Sequence, residues 1–68
     1  METLSNIVKN LRAEKNISQG RLAELTGVTR QTIISLEKGS YVPSLILAMR
    51  ISEVLEMPIE QIFKKETV

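Results

Sequence analysis

Gly27 stands between two short amphipathic segments, and no other position limits the fold as tightly. From Gln19 to Thr26 the apolar residues Leu22, Ala23 and Leu25 sit among Arg21 and Glu24; beyond Val28, the stretch from Arg30 to Lys38 places Ile33 and Leu36 on one face. Each segment suits about two turns of helix, too few to be stable alone, so the two must pack together. The chain has to reverse between them. A reversal of that kind usually needs a positive φ, which glycine adopts without a Cβ penalty. Thr29 is placed to cap the second helix, and Ala23 is small where the two helices approach most closely. This pattern predicts a helix-turn-helix.

The rest of the chain reads as further helices. Leu4, Ile7, Val8 and Leu11 recur at helical spacing and predict a first helix from about Thr3 or Ser5 to Lys15, with Asn16 as its stop. Ser18 caps the second helix, roughly Gln19 to Thr26. The third runs from Arg30 to about Lys38 and ends at Gly39. Pro43 closes a loop over 40–43, because proline forbids helix continuation. Ser44 then caps a fourth helix, Leu45 to Leu55, with Leu45, Ala48, Ile51, Val54 and Leu55 as its inward stripe. Pro58 suits the first position of a short fifth helix reaching Phe63 or Lys64. The tail from Lys65 to Val68 carries no packing signal. The expected fold is all-α: five helices, no sheet and one domain over residues 1–68, with a core from about 4 to 63.

Composition removes most chemistry. The 68 residues hold no cysteine and no histidine, which excludes disulfides, thiolate zinc sites, cysteine nucleophiles and imidazole bases. The remaining serines, threonines and glutamates form no paired-carboxylate or nucleophile–base arrangement. The expectation is therefore no enzyme, no metal and no cofactor. The longest apolar run, Leu45 to Met49, is too short to span a bilayer and no signal-peptide pattern opens the chain, so a cytoplasmic protein is expected. The charge is uneven: residues 1–50 carry seven Lys or Arg against four Glu, and residues 51–68 two Lys against four Glu. The cationic part coincides with the helix-turn-helix, as phosphate contact requires.

Taken in register, Leu11-Arg12, Ile17-Ser18-Gln19, Leu22-Ala23, Gly27-Val28-Thr29-Arg30-Gln31-Thr32-Ile33, Leu36-Glu37-Lys38-Gly39 and Pro43-Ser44-Leu45 resemble the Cro-like (XRE) helix-turn-helix family of phage repressors and their bacterial relatives. The resemblance covers about residues 7 to 63. It implies a compact lambda-repressor-like domain that binds double-stranded DNA, with the third helix in the major groove. It also implies that Arg12 pairs with Glu37, and that Gln19 lies near the DNA backbone or supports the glutamine of the third helix. Gly20 departs from the family, where a charged helix former is common.

Within that frame, Arg30, Gln31, Thr32 and Ser35 are the candidate base-reading residues. Arginine can contact guanine bidentately, glutamine can do so with adenine, and the threonine methyl can meet a thymine methyl. Ser18, Gln19, Thr29, Lys38, Ser40 and Tyr41 are candidates for phosphate contact, at helix N-termini and in the loop after the third helix. Arg12 and Glu37 form a structural pair that sets the angle of the third helix. One such domain reads few base pairs, so a homodimer on a near-palindromic operator is expected. Its reading helices would lie about 34 Å apart. Met57, Ile59, Ile62 and Phe63 are the candidate interface, with Ile46 and Leu47 as possible additions because they look too apolar for the outer face of the fourth helix. The leading reading is a sequence-specific transcription regulator, most often a repressor acting sterically, without a small-molecule ligand. The alternatives are an antitoxin or restriction-modification controller of the same fold, or a protein–protein adaptor that has lost DNA binding. The last predicts erosion of the reading face, against which Arg30-Gln31-Thr32 argues.

Overall fold

The computed structural model describes residues 1–67. Its elements run β1 (Glu2–Asn6), α1 (Val8–Glu14), α2 (Gln19–Thr26), α3 (Arg30–Glu37), α4 (Leu45–Leu55), α5 (Ile59–Ile62) and β2 (Phe63–Thr67). The all-α expectation is therefore corrected. Five helices are present, but the chain ends pair as a two-stranded antiparallel sheet in which Glu2 lies opposite Thr67 and Asn6 opposite Phe63. Helix α1 starts at Val8 rather than at Thr3 or Ser5. Lys65 to Thr67, expected to lack packing, belong to β2; Val68 lies outside the described residues.

Asn6 marks the change from strand to helix. Its side-chain oxygen accepts the Val8 N–H at 3.1 Å, and its amide nitrogen donates to the Leu36 carbonyl at 2.9 Å. One side chain thus satisfies a free donor at the start of α1 and adds a second donor to the Leu36 carbonyl near the end of α3, which also accepts the Gly39 N–H at 3.0 Å. The Ile7 N–H donates to the Ile62 carbonyl at 3.1 Å, carrying the junction across to α5.

The caps follow the sequence closely. Ser18, Thr29 and Ser44 each accept a backbone N–H three residues on, from Arg21, Thr32 and Leu47. Gly27 ends α2 in the left-handed region at φ 75°, and Asn16, beyond α1, has φ 56°. Glu56 makes the same left-handed turn after α4 without being glycine.

The core is built by Val8 and Leu11 of α1, Leu22 and Ala23 of α2, Ile33 and Leu36 of α3, Leu47, Ala48, Ile51 and Leu55 of α4, with Ile62 and Phe63. Thr26 is buried as well, its hydroxyl donating to the Leu22 carbonyl at 2.7 Å, so that α2 absorbs its own polar group. Two assignments in α4 are reversed. Leu45, expected to point inward, is 72% exposed, and Leu47, expected on the outer face, is 3% exposed. The inward stripe begins at Leu47, so the first turn of α4 leaves Leu45 and Ile46 on its open side.

Candidate nucleic-acid interface

Helices α2 and α3 pack around Gly27, which leaves the first turn of α3 at the surface. Arg30 and Gln31 are exposed, while Thr32 and Ser35 are half-buried beside them. Gln31 donates from Nε2 to the Ser35 hydroxyl one turn on, at 3.3 Å. The Thr32 hydroxyl lies 3.0 Å from that of Thr29, the capping residue, so these two share a hydrogen bond.

Behind that surface, Arg12 spans α1 to α3. Its Nε donates to Glu37 Oε2 at 2.8 Å, its Nη2 to Glu37 Oε1 at 3.2 Å, and its Nη1 to the Ile17 carbonyl at 2.9 Å. This fork geometry is the strong form of a charge-assisted bond, and it fixes angle as well as distance. Burial pushes the Glu37 carboxyl pKa up, but hydrogen bonds from Arg12 and Gln19 and the charges of Arg12 and Lys9 outweigh it, so the group titrates below its ordinary value of 4.5. The carboxylate is therefore ionised at neutral pH.

Gln19 joins the same group. Its Nε2 donates to Glu37 Oε1 at 3.1 Å, and its Oε1 accepts from Arg30 Nη2 at 3.4 Å. The family resemblance implies support for the glutamine of the third helix; here the supported residue is Arg30. Sequence reasoning missed this pairing because Gln19 and Arg30 are brought together only by the turn.

The residues named for phosphate contact fall around α3. Ser18 and Thr29 occupy the N-caps of α2 and α3, and neither helix has an acidic residue in its first turn. Asp and Glu are ordinarily favoured there, so the positive helix ends are left uncompensated. Lys38 and Tyr41 are exposed on the far flank, and the Ser40 hydroxyl donates to the Ser35 carbonyl at 3.1 Å. Arg50 is an exposed neighbour that the sequence did not single out: its Nη1 donates to the Thr26 carbonyl at 3.3 Å, at the C-terminal end of α2.

The four residues named for pairing divide. Ile62 is 1% and Phe63 7% exposed, inside the core, whereas Met57 and Ile59 are half-buried. Val42, Leu45, Ile46 and Met49 are instead the large apolar side chains left open around the first turns of α4. No helix among the described residues is long and apolar enough to cross a membrane.

The helix-turn-helix family model matches residues 8–62. The HTH-type transcriptional regulator YgzD of Bacillus subtilis is 50% identical over 60 residues, covering 88% of this chain and 91% of its own. An HTH-type transcriptional regulator of the archaeon Methanothermobacter thermautotrophicus is 52% identical over 61 residues, 88% of each chain. Similarity thus extends beyond the bacterial and phage proteins that the sequence suggested. Among solved structures, the restriction-modification controller protein C.AhdI of Aeromonas hydrophila superposes with a TM-score of 0.73 at 28% identity, over 79% of this chain and 82% of its own. A putative DNA-binding protein of Bacteroides fragilis gives 0.80 at 28% identity, over 90% and 98%. A match through the Gly27 turn and the Arg12–Glu37 brace, together with relatives at half identity over nearly their whole length, leads to one conclusion: this chain belongs to the XRE-type helix-turn-helix family of transcriptional regulators.

Proposed function

We propose that the chain binds an operator in double-stranded DNA by laying α3 in the major groove, and that it acts as a repressor through occupancy of that site. The observation that carries this reading is the exposed pair Arg30 and Gln31 at the start of a helix whose angle is braced by Arg12 and Glu37. Base readout needs side chains of these types on a rigid mount. Thr32 stands in the same turn and Ser35 one turn further along. Ser18, Gln19, Thr29, Lys38, Ser40 and Tyr41 serve the phosphates on either side, where contacts orient the protein and add salt-dependent affinity.

Two copies are proposed to bind a near-palindromic site. The burial of Ile62 and Phe63 takes them out of the interface. The proposed contact uses Leu45, Ile46 and Met49, which share one face of α4 by their spacing, with Val42 before them and the half-buried Met57 and Ile59. The test is selection of bound duplexes from random DNA, followed by titration of the selected site with the Arg30→Ala, Gln31→Ala double variant. Loss of specific binding with retention of weak general binding is expected; unchanged specific affinity refutes the assignment.

Likeness to C.AhdI supports a second reading, a restriction-modification controller of the same fold. Selected sites mapping upstream of a methyltransferase–endonuclease gene pair favour it over a general repressor.

A further inference from the structure

The ribbon of β1 and β2 has two outer edges, and they differ. The edge of β1 is covered by the loop after α3: a Cβ on Gly39 would stand 4.0 Å from the Leu4 carbonyl oxygen. Along β2, by contrast, Lys64 to Thr67 are all exposed. The backbone groups on that edge follow from the pairing. The Ile7 N–H donates to the Ile62 carbonyl, so Asn6 and Phe63, which stand opposite, exchange no bond with each other. Bonded and non-bonded pairs alternate in an antiparallel ladder. Ser5–Lys64 and Thr3–Glu66 are therefore the bonded pairs, while Lys65 and Thr67 turn their N–H and C=O groups away from β1. The Phe63 carbonyl points outward with them, but the Phe63 N–H is already taken by the Ile59 carbonyl. Both strands lie outside residues 8–62, the span that the family model matches.

We propose that this edge of β2 pairs antiparallel with β2 of a second copy, about a two-fold axis at Lys65, to give a four-stranded sheet. In that register Phe63 lies opposite Thr67 of the second copy, and Lys64 opposite its Glu66. The Lys65 N–H meets the Lys65 carbonyl in both directions, and the Thr67 N–H meets the Phe63 carbonyl in both directions. The one N–H left over, that of Phe63, is the one its own helix has satisfied. Lys64 and Glu66 fall at the close, non-bonded positions, where opposite charges gain most. Glu66 holds the Ser5 hydroxyl, at 2.9 Å, through one of its oxygens. Lys65 facing Lys65 is the unfavourable contact; Glu2 offsets it, its carboxylate 3.2 Å from Lys65 Nζ. Exposed lysines ordinarily keep an edge from joining any passing strand. Here they favour one register, and it is self-complementary, which selects a copy of the same chain. The contact is separate from the α4 face and too small to hold dilute copies together, so its dissociation constant falls roughly in the millimolar range. Copies seated side by side on one duplex reach such local concentrations. That use rests on the operator reading; the contact itself does not.

The experiment uses the full chain with Ile46→Lys and Met49→Lys, which takes the α4 face out of play, and follows its amide resonances from micromolar to millimolar concentration. The Lys65 and Thr67 amides are expected to shift as concentration rises, while those of α3 and α4 hold still. Lys65→Pro in this background removes an N–H that faces outward and leaves the ladder to β1 intact. It is expected to weaken association about tenfold or more, through two lost bonds. Lys64→Glu should weaken it about threefold or more, and Lys64→Glu with Glu66→Lys should restore it, because the swap re-creates both charge pairs across the axis. If Lys65→Pro disturbs the ribbon itself, seen in the Thr3 and Ser5 amides, the charge swap decides alone. No shift along β2 at millimolar concentration, shifts centred on another face, or a swap that fails to restore association overturns the proposal. DNA binding enters none of these measurements, so failure of the operator reading leaves their outcome unaffected.

Discussion

Arg12 and Glu37, 25 residues apart in the chain, meet through two hydrogen bonds of 2.8 and 3.2 Å, one to each carboxylate oxygen. Both side chains are largely removed from water. Such a pair adds little net stability relative to apolar residues of the same shape, yet removing one partner leaves the other charge buried and unpaired. Arg12→Ala is expected to cost about 2–3 kcal/mol. In a domain of this size that lowers the melting temperature by roughly 10–20 °C. Thermal unfolding followed by circular dichroism measures it; a shift of a few degrees would refute the claim that the brace is unpaired by this change.

The same pair makes stability sensitive to acid. Glu37 titrates in the folded chain below its ordinary value of 4.5, burial raising its pKa less than the bonds from Arg12 and Gln19 lower it. The unfolded chain therefore takes up the proton first. The contribution of Glu37 is complete above the unfolded value and is lost as pH falls through the folded one. Melting temperature should drop as pH falls below the ordinary value of 4.5 in the parent, and less steeply in Glu37→Gln. Glu56, lowered by its hydrogen bond to Lys15, is exposed, so Glu56→Gln should leave the profile nearly unchanged.

Two glycines should respond to alanine with opposite sign. Gly27 holds φ at 75°, and a Cβ there would approach Arg50 Nη1 to 3.4 Å. Gly27→Ala is expected to destabilise by about 1–2 kcal/mol, the cost of the left-handed region for an L side chain. Gly20 lies in the first turn of α2, where the nearest atom to a new Cβ is Ser18 Oγ at 4.0 Å. Gly20→Ala should stabilise by up to about 1 kcal/mol. Urea titrations of both variants decide the matter.

Pairing through α4 predicts a separation between association and folding. Ile46→Lys with Met49→Lys changes two exposed side chains, so the melting temperature at low concentration should hold while any dimer dissociates. Ile62→Lys places a charge in the core and should unfold the monomer. Sedimentation equilibrium of the first variant is the measurement; a dimer as stable as the parent's would exclude this face.

Legibility followed the range of the interactions. Ser18, Thr29 and Ser44 declared their helices because a cap bonds within three residues. Gly27 and Asn16 declared turns because φ is a local property. The Arg12–Glu37 pair was legible only through the resemblance, and the structure supplies its geometry. Leu4, Ile7, Val8 and Leu11 misled, since their spacing fits a helix while the backbone of residues 2–6 finds its partners in residues 63–67. Leu45 misled because its spacing from Ala48 and Ile51 fits the inward stripe, whereas the inward row starts at Leu47.

From sequence alone came the helix-turn-helix, its caps, its glycine and the residue types at the start of α3. Each depends on bonds and torsions within one turn of chain, which residue identity governs directly. Tertiary structure decided the rest. It turned the two chain ends into a sheet, drew Ile62 and Phe63 into the core, left Leu45, Ile46 and Met49 outside, and set Gln19 against Arg30. Those outcomes depend on which distant groups meet, and a hydrogen bond or a buried face has no partner until the whole chain has closed.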